Sequence, residues 1–188
     1  SIREEFTKVF WEYVDACNED DAVKEYNFSG LIFPNFDLKR GVLEKYADFL
    51  SAKFSGYADF NYAKFSGDAD FREAKFGVNA GFREAQFLGF ADFSNTQFSG
   101  YADIGNAQFS GDADFREAQF SGIADFSNAQ FSGIVDFLSA KFSGDAHFRE
   151  AKFLDFAHFS NAQFSSDAYF SNAQFSGDAG FREVQFSG

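Results

Sequence analysis

Ala91-Asp92-Phe93-Ser94-Asn95, Thr96-Gln97-Phe98-Ser99-Gly100-Tyr101, Ala102-Asp103-Ile104-Gly105-Asn106, Ala107-Gln108-Phe109-Ser110-Gly111-Asp112: this stretch alternates units of five and six residues. Each unit has a bulky apolar centre and a small residue two positions before it. One series of centres runs Phe49, Phe60, Phe71, Phe82, Phe93, Ile104, Phe115 and on to Phe181 in steps of eleven. A second runs Phe54, Phe65, Phe76 and on to Phe186 in the same steps. Spacing this strict makes every unit one segment of a repeating backbone path.

Working outward, the four frames before this regular part are degenerate. Tyr26–Gly30, Leu31–Asn35, Phe36–Arg40 and Gly41–Lys45 carry centres Phe28, Phe33, Leu38 and Leu43, five apart, with larger residues where Ala later sits. A terminal repeat packed against a cap is expected to look like this. The cap itself is legible upstream. Ile2, Phe6, Val9, Phe10, Tyr13 and Val14 fall at helical spacing opposite Arg3, Glu4, Glu5, Lys8, Glu12 and Asp15, which predicts an amphipathic helix to about residue 17. Its expected task is to lay the apolar stripe over the first open layer, since repeat arrays need covered ends. Residues 1–25 are therefore assigned to an N-terminal helical cap and residues 26–188 to the repeat domain.

Composition agrees with stacked, equivalent layers. Phe supplies 32 of 188 residues, whereas an irregular core mixes side-chain sizes. The net charge of −13 argues against direct nucleic-acid or anionic-membrane binding, which need basic surfaces. Cys17 is the single cysteine, so no internal disulfide forms, and a cytoplasmic setting is the mild expectation. No apolar run approaches the ~20 residues of a membrane span.

Thirty tandem units with a small residue, a variable polar residue and a central Phe or Leu resemble the pentapeptide-repeat proteins, and the resemblance covers residues 26–188. It implies an all-β solenoid, a right-handed quadrilateral β-helix in which four units make one coil. The central residue points inward from each side and the small residue fills the space near the corner. The regular sixth residue departs from the plain family pattern, so a coil should take about 22 residues, with two of its four corners enlarged and about 7.5 coils in all. Extended-chain geometry supports the same layout: residues i and i−2 share a face, and Ser-Gly and Ser-Asn provide turns in which Gly is expected to supply positive φ. A flat coil of eleven residues is the alternative geometry. Arg-Glu recurs at Arg83, Arg116, Arg149 and Arg182 in steps of 33, which reads as duplication history.

Two sets of residues stand out as candidate surfaces. Asp48, Asp70, Asp92, Asp114 and Asp136 should stack on one side and end in His158, while Asp59, Asp103 and Asp125 stack opposite and end in His147. The expected role of this acidic ladder is a solvated face, with relief of like-charge repulsion from Lys53, Lys64 and Lys75 on neighbouring sides. Flat walls offering two or three oxygens suit Ca²⁺ poorly. Phe90, Ile134 and Phe156 occupy the extra sixth position on one edge, and Leu88 and Leu154 precede two of them. These five form a candidate interaction edge if exposed, although an enlarged corner could fold them back onto the core. The sequence carries no P-loop, dinucleotide fingerprint or metal-ligand cluster, so neither cofactor nor enzymatic chemistry is expected.

The function expected is a non-catalytic structural or protein-interaction solenoid. A protein partner, or a homodimer through an uncapped C-terminal coil, is the expected contact. Some pentapeptide-repeat proteins are acidic rods that mimic DNA and protect gyrase, and the resemblance implies this as the alternative. Charge density opposes it: residues 26–188 carry a net −8 over roughly 36 Å, where duplex DNA carries about 21 charges. A cation- or glycan-binding surface is the third reading.

Overall fold

The computed structural model describes residues 2–188, with side chains from Thr7 onward. Helix α1, Ile2–Glu19, precedes thirty short strands in four parallel sheets of eight, eight, seven and seven strands. Each strand pairs with the fourth one after it. We number the faces in the order the chain meets them: face 1 starts at Glu25–Asn27, face 2 at Ile32–Phe33, face 3 at Phe36–Asp37 and face 4 at Val42–Leu43. Lys75-Phe76 pairs with Lys53-Phe54 on one side and Gln97-Phe98 on the other, so one coil takes 22 residues. An eleven-residue coil would have paired it with Lys64-Phe65, and that alternative is excluded.

The core consists of phenyl columns, one behind each face. Phe49 and Phe71 stack with centroids 4.8 Å apart and planes 2° from parallel. Columns behind the opposite faces 1 and 3 meet edge-on, as Phe71 does with Phe60 at 5.4 Å and 89°, whereas Phe71 and Phe76, behind the adjacent faces 1 and 2, are tilted by 40°. Column spacing matches strand spacing, so the backbone ladder forces the face-to-face arrangement and the columns gain their edge-to-face contacts from each other. Ala47, Ala69, Ala91 and Ala113 fill the narrow space beside face 1, all buried. Thr96 replaces one such Ala without leaving an orphan, because its buried hydroxyl donates to the Phe71 carbonyl at 2.8 Å.

Helix α1 covers the first coil with part of the predicted stripe, Phe10 and Val14, while Val9 and Tyr13 of that stripe are exposed. Phe10, Val14 and Cys17 are buried, whereas Val9 is 58% exposed. The Phe10 ring stacks on Phe28 and meets Phe36 edge-on. Trp11, which the stripe omitted, packs over Gly41, where any Cβ would come within 2.5 Å of its ring. Ile2 and Phe6 lie outside the residues whose side chains are described. The helix has no basic residue in its last turn. The first coil supplies one: the Lys45 ammonium donates to the carbonyls of Cys17, Asp20 and Val23. This satisfies carbonyls at a helix C-terminus with a cation, the favourable charge for that end.

Corners come in two kinds. After faces 1 and 3 the chain makes a tight turn, in which Ala118 N–H donates to the Phe115 carbonyl at 3.1 Å. The residue before that Ala takes a left-handed conformation: Ser51, Glu73, Asn95 and Glu117 have φ of 55–58°. Glycine was expected there, yet the positive-φ positions of the regular coils are Asn, Glu, Ser or Tyr. After faces 2 and 4 comes the enlarged corner with Ser-Gly. Its glycines serve close approach between coils: a Cβ on Gly122 would lie 2.4 Å from the Gly100 carbonyl oxygen.

Candidate interaction surfaces

The stacking of the acidic ladder follows directly from register. Asp48 pairs with Asp70, Asp70 with Asp92, Asp92 with Asp114, Asp114 with Asp136, and Asp136 with His158, all on face 1. On face 3, Asp103 pairs with Asp125 and Asp125 with His147, so the two histidines lie on opposite faces.

The carboxylates do not form an open solvated wall. Asp70 and Asp114 are only 4% and 5% exposed, and Asp48, Asp92 and Asp136 are half-buried. Two contacts hold them down. First, each accepts a backbone N–H two residues on: Leu50 to Asp48 at 2.8 Å, Ser94 to Asp92 at 2.9 Å, Leu138 to Asp136 at 2.8 Å. This Asx bond fixes the start of the tight turn, which explains why Asp recurs every eleven residues despite the repulsion. Second, residues at the enlarged corner reach over it: the Tyr46 hydroxyl donates to Asp70 at 2.9 Å and Tyr101 to Asp125 at 3.2 Å.

Charge relief also differs from expectation. Lys53, Lys64 and Lys75 project from faces 2 and 4, and among the described residues none pairs with the ladder. Arg72 grips Asp70 through Nε and Nη2, the latter at 2.6 Å, and Arg116 likewise holds Asp114. Burial pushes the Asp70 carboxyl upward, but the Arg72 bonds outweigh it and hold the group below the usual carboxylate value. Asp92 has only a longer contact, 3.9 Å from Arg72 Nε. Burial first, then its neighbours Asp114 and Asp70, leave its carboxyl above that value, although bonds from Ser94 act the other way. Asp103 on face 3 is raised for the same first reason, burial, with Asp125 adding to it. Each arginine also reaches the next rung at longer range, Arg72 Nε to Asp92 at 3.9 Å and Arg116 Nε to Asp136 at 4.0 Å, so tightly held rungs alternate with loosely paired ones. At the end of face 1, His158 Nδ1 lies 3.2 Å from Asp136 Oδ1, a pairing the sequence reading missed.

One rung is missing on face 3, at Gly81. Arg83 N–H would otherwise turn to a carboxylate there; it donates to Asn61 Oδ1 of the preceding coil at 2.8 Å. A Cβ at Gly81 would collide with Asn61 and the Tyr57 hydroxyl, 2.7 Å away.

Edge residues at the enlarged corners face outward. Phe90, Ile134, Leu88 and Leu154 are each 41–43% exposed, and Phe156 is partly covered. Phe90, Ile134 and Phe156 share one edge, two coils and then one coil apart. Between them, Asp112 Oδ1 accepts from Ile134 N–H at 2.9 Å, as Asp68 does from Phe90 N–H one coil lower. The edge therefore presents Phe90 between two carboxylates tied to the backbone, Asp68 and Asp112, followed by Ile134 and Phe156 on successive coils. Among the described residues no group of His, Cys, Asp and Glu could hold a metal ion, and no helix is long and apolar enough to cross a membrane.

Comparison with known proteins agrees with the repeat. The family model described as pentapeptide repeats (9 copies) matches residues 49–97, 79–119, 93–141 and 137–185, more than half of the chain. No curated protein matches it.

Proposed function

The chain belongs to the pentapeptide-repeat family, and on that premise we propose that it acts as a rigid, non-catalytic rod whose apolar corner edge docks a protein. One observation carries this reading: Phe90 and Ile134 stand 41% and 43% exposed on one straight edge, held by a backbone that pairs with coils above and below. Side chains on so rigid a frame lose little freedom on binding, which favours contact at modest area. The partner surface that fits is apolar with interspersed basic groups, meeting Asp112 between Phe90 and Ile134 and Asp68 one coil before Phe90. A second copy of the chain is the partner to test first.

Light scattering across a concentration series is the experiment. Phe90→Ser combined with Phe156→Ser is expected to weaken self-association about tenfold, the loss of roughly 1.4 kcal/mol. Unchanged behaviour removes this edge as an interface. A loss seen only with Phe181→Ser and Phe186→Ser assigns pairing to the last coil instead.

DNA mimicry is the less favoured reading. The carboxylates that would imitate phosphates are folded into the corners and committed to backbone N–H groups. A gyrase supercoiling assay is expected to show no effect at micromolar protein.

A further inference from the structure

Face 4 carries a groove that the apolar edge does not touch. Gln86, Gln108 and Gln130 project from it in register. Beside them runs the left-handed corner row of Glu84, Asn106 and Asn128. The two rows line a groove of about 400 Å³, with Glu84 at one end, and a second of about 550 Å³ continues it along Glu150, Lys152, Asn172 and Gln174.

Three properties set this groove apart. Its amides are uncommitted: among the described residues no hydrogen bond engages the side chains of Gln86, Asn106, Gln108 or Asn128, and Gln130 makes one long contact of 3.5 Å to Ser132. They are also held in position. Asn106 and Asn128 both have φ of 58°, and the glutamines stand on paired strands, so their Cα–Cβ bonds are aimed by the backbone. Finally, these five amides form an uncharged stretch on a chain of net charge −13, with acidic faces 1 and 3 on either side.

A carboxamide is both donor and acceptor. Rows of them, repeated at about 4.8 Å along the rod, match a linear polymer offering both functions at every unit. Charge selects among polymers. Polyanions are repelled by the flanking aspartates and by Glu84 and Glu150 at the two ends of the amide rows, and cationic peptides are drawn to those carboxylates rather than to the amides between them. Apolar segments find no apolar wall. A neutral, hydroxyl-rich chain satisfies both halves of each amide. Tyr62, exposed at the head of the corner row, adds a flat ring of the kind a sugar can lie on, and Arg40 backs it at 4.6 Å. We propose that face 4 binds a neutral glycan chain lying along the rod axis, over Asn106, Gln108, Asn128 and Gln130.

The test titrates isotope-labelled protein with cellohexaose, chitohexaose and mannohexaose to roughly 5 mM, a range that reveals dissociation constants of about 1 mM and tighter, reading side-chain amide resonances. At least one glycan is expected to shift the signals of Gln108, Asn128 and Gln130. Gln108→Ser with Gln130→Ser should weaken that binding about tenfold while leaving the thermal midpoint in place, since both side chains are solvent-facing. Phe90→Ser with Phe156→Ser should bind as the parent does, which separates this site from the protein-docking edge. Silence with all three glycans, shifts confined to other faces, or shifts produced by a neutral Gly-Ser peptide but by no glycan would each overturn the proposal.

Discussion

The tight and enlarged corners turn the same chain through the same square, by opposite means. A tight corner uses one residue fewer and places a residue with a side chain at positive φ, where Glu117 and Asn128 have values of 57° and 58°. The cost is local, on the order of 1 kcal/mol per non-glycine residue, and Asx bonds from Asp help to hold the turn. An enlarged corner avoids left-handed backbone. It brings successive coils so close that Gly111 would set a Cβ 2.5 Å from the Gly89 oxygen. Strain inside one residue can be relieved one residue at a time. Close approach between coils cannot, because the neighbour is backbone.

That contrast orders the expected mutational effects. The largest is at an enlarged corner: Gly122→Ala should cost about 3 kcal/mol, lowering the thermal midpoint by roughly 6–12 °C. Glu117→Ala at a tight corner should shift it by less than a third of that; equal losses would erase the distinction between the corners. Next come the Asp rungs that begin the tight turns. Asp70→Asn should destabilise by about 1–2 kcal/mol, since it discharges the group that Arg72 and Tyr46 hold. Asp92→Asn keeps an oxygen for the Ser94 N–H and removes a repelled charge, so it should stabilise at neutral pH by roughly 0.5 kcal/mol. Chemical denaturation of both variants decides it, and a loss at both positions would mean that the rungs are equivalent.

The pH dependence of those two rungs is opposed. The lowered Asp70 carboxyl stabilises the fold above the ordinary carboxylate value and loses that contribution as pH falls through its own depressed value. The raised Asp92 and Asp103 work the other way: their contribution is greatest in acid and is lost as pH rises through their elevated values. The stabilising effect of Asp92→Asn should therefore shrink as pH falls through the elevated Asp92 value and be gone by the ordinary carboxylate value near pH ~4, measured as the difference in midpoint between variant and parent. The smallest expected change is Glu117→Asn, a gain of a few tenths of a kcal/mol, because Asn accepts left-handed backbone more readily. Within the tight corners it separates tolerance of the conformation from side-chain contacts.

The repeat was legible because Phe and Ala recur at one spacing, and the 22-residue register, the four faces and both Asp stacks follow from counting. The tight-turn residues were not, since Asn106, Glu117 and Ser139 carry no glycine to announce positive φ. The Asp carboxylates were read as solvated because a turn bond to the residue two positions on leaves no charge pattern. A signal did exist: Asp persisting every eleven residues against its own repulsion implies a local bond that offsets it. Phe10 and Val14 of the helix stripe were legible, but Val9 turns outward and Trp11 packs in, as nothing in the stripe shows that Gly41 would leave room for that ring. Exposure of Phe90 and Ile134 could not be decided from hydrophobicity alone, since a corner residue folds in or out according to the coil above.

Faces 1 and 3 are built from the same eleven-residue unit, and so are the links that join each to the next face. The rod thus carries an approximate screw operation, a half-turn combined with half a coil of rise. Slippage by one such unit during gene copying would preserve every phenyl column while turning all that follows to the opposite side. The Arg-Glu pairs already sit at different places around the rod: Arg72, Arg83, Arg116 and Arg149, spaced by multiples of eleven, emerge beside faces 1, 3, 1 and 3. A lineage with this architecture can move a surface feature around its axis by changing length alone, leaving the interior untouched.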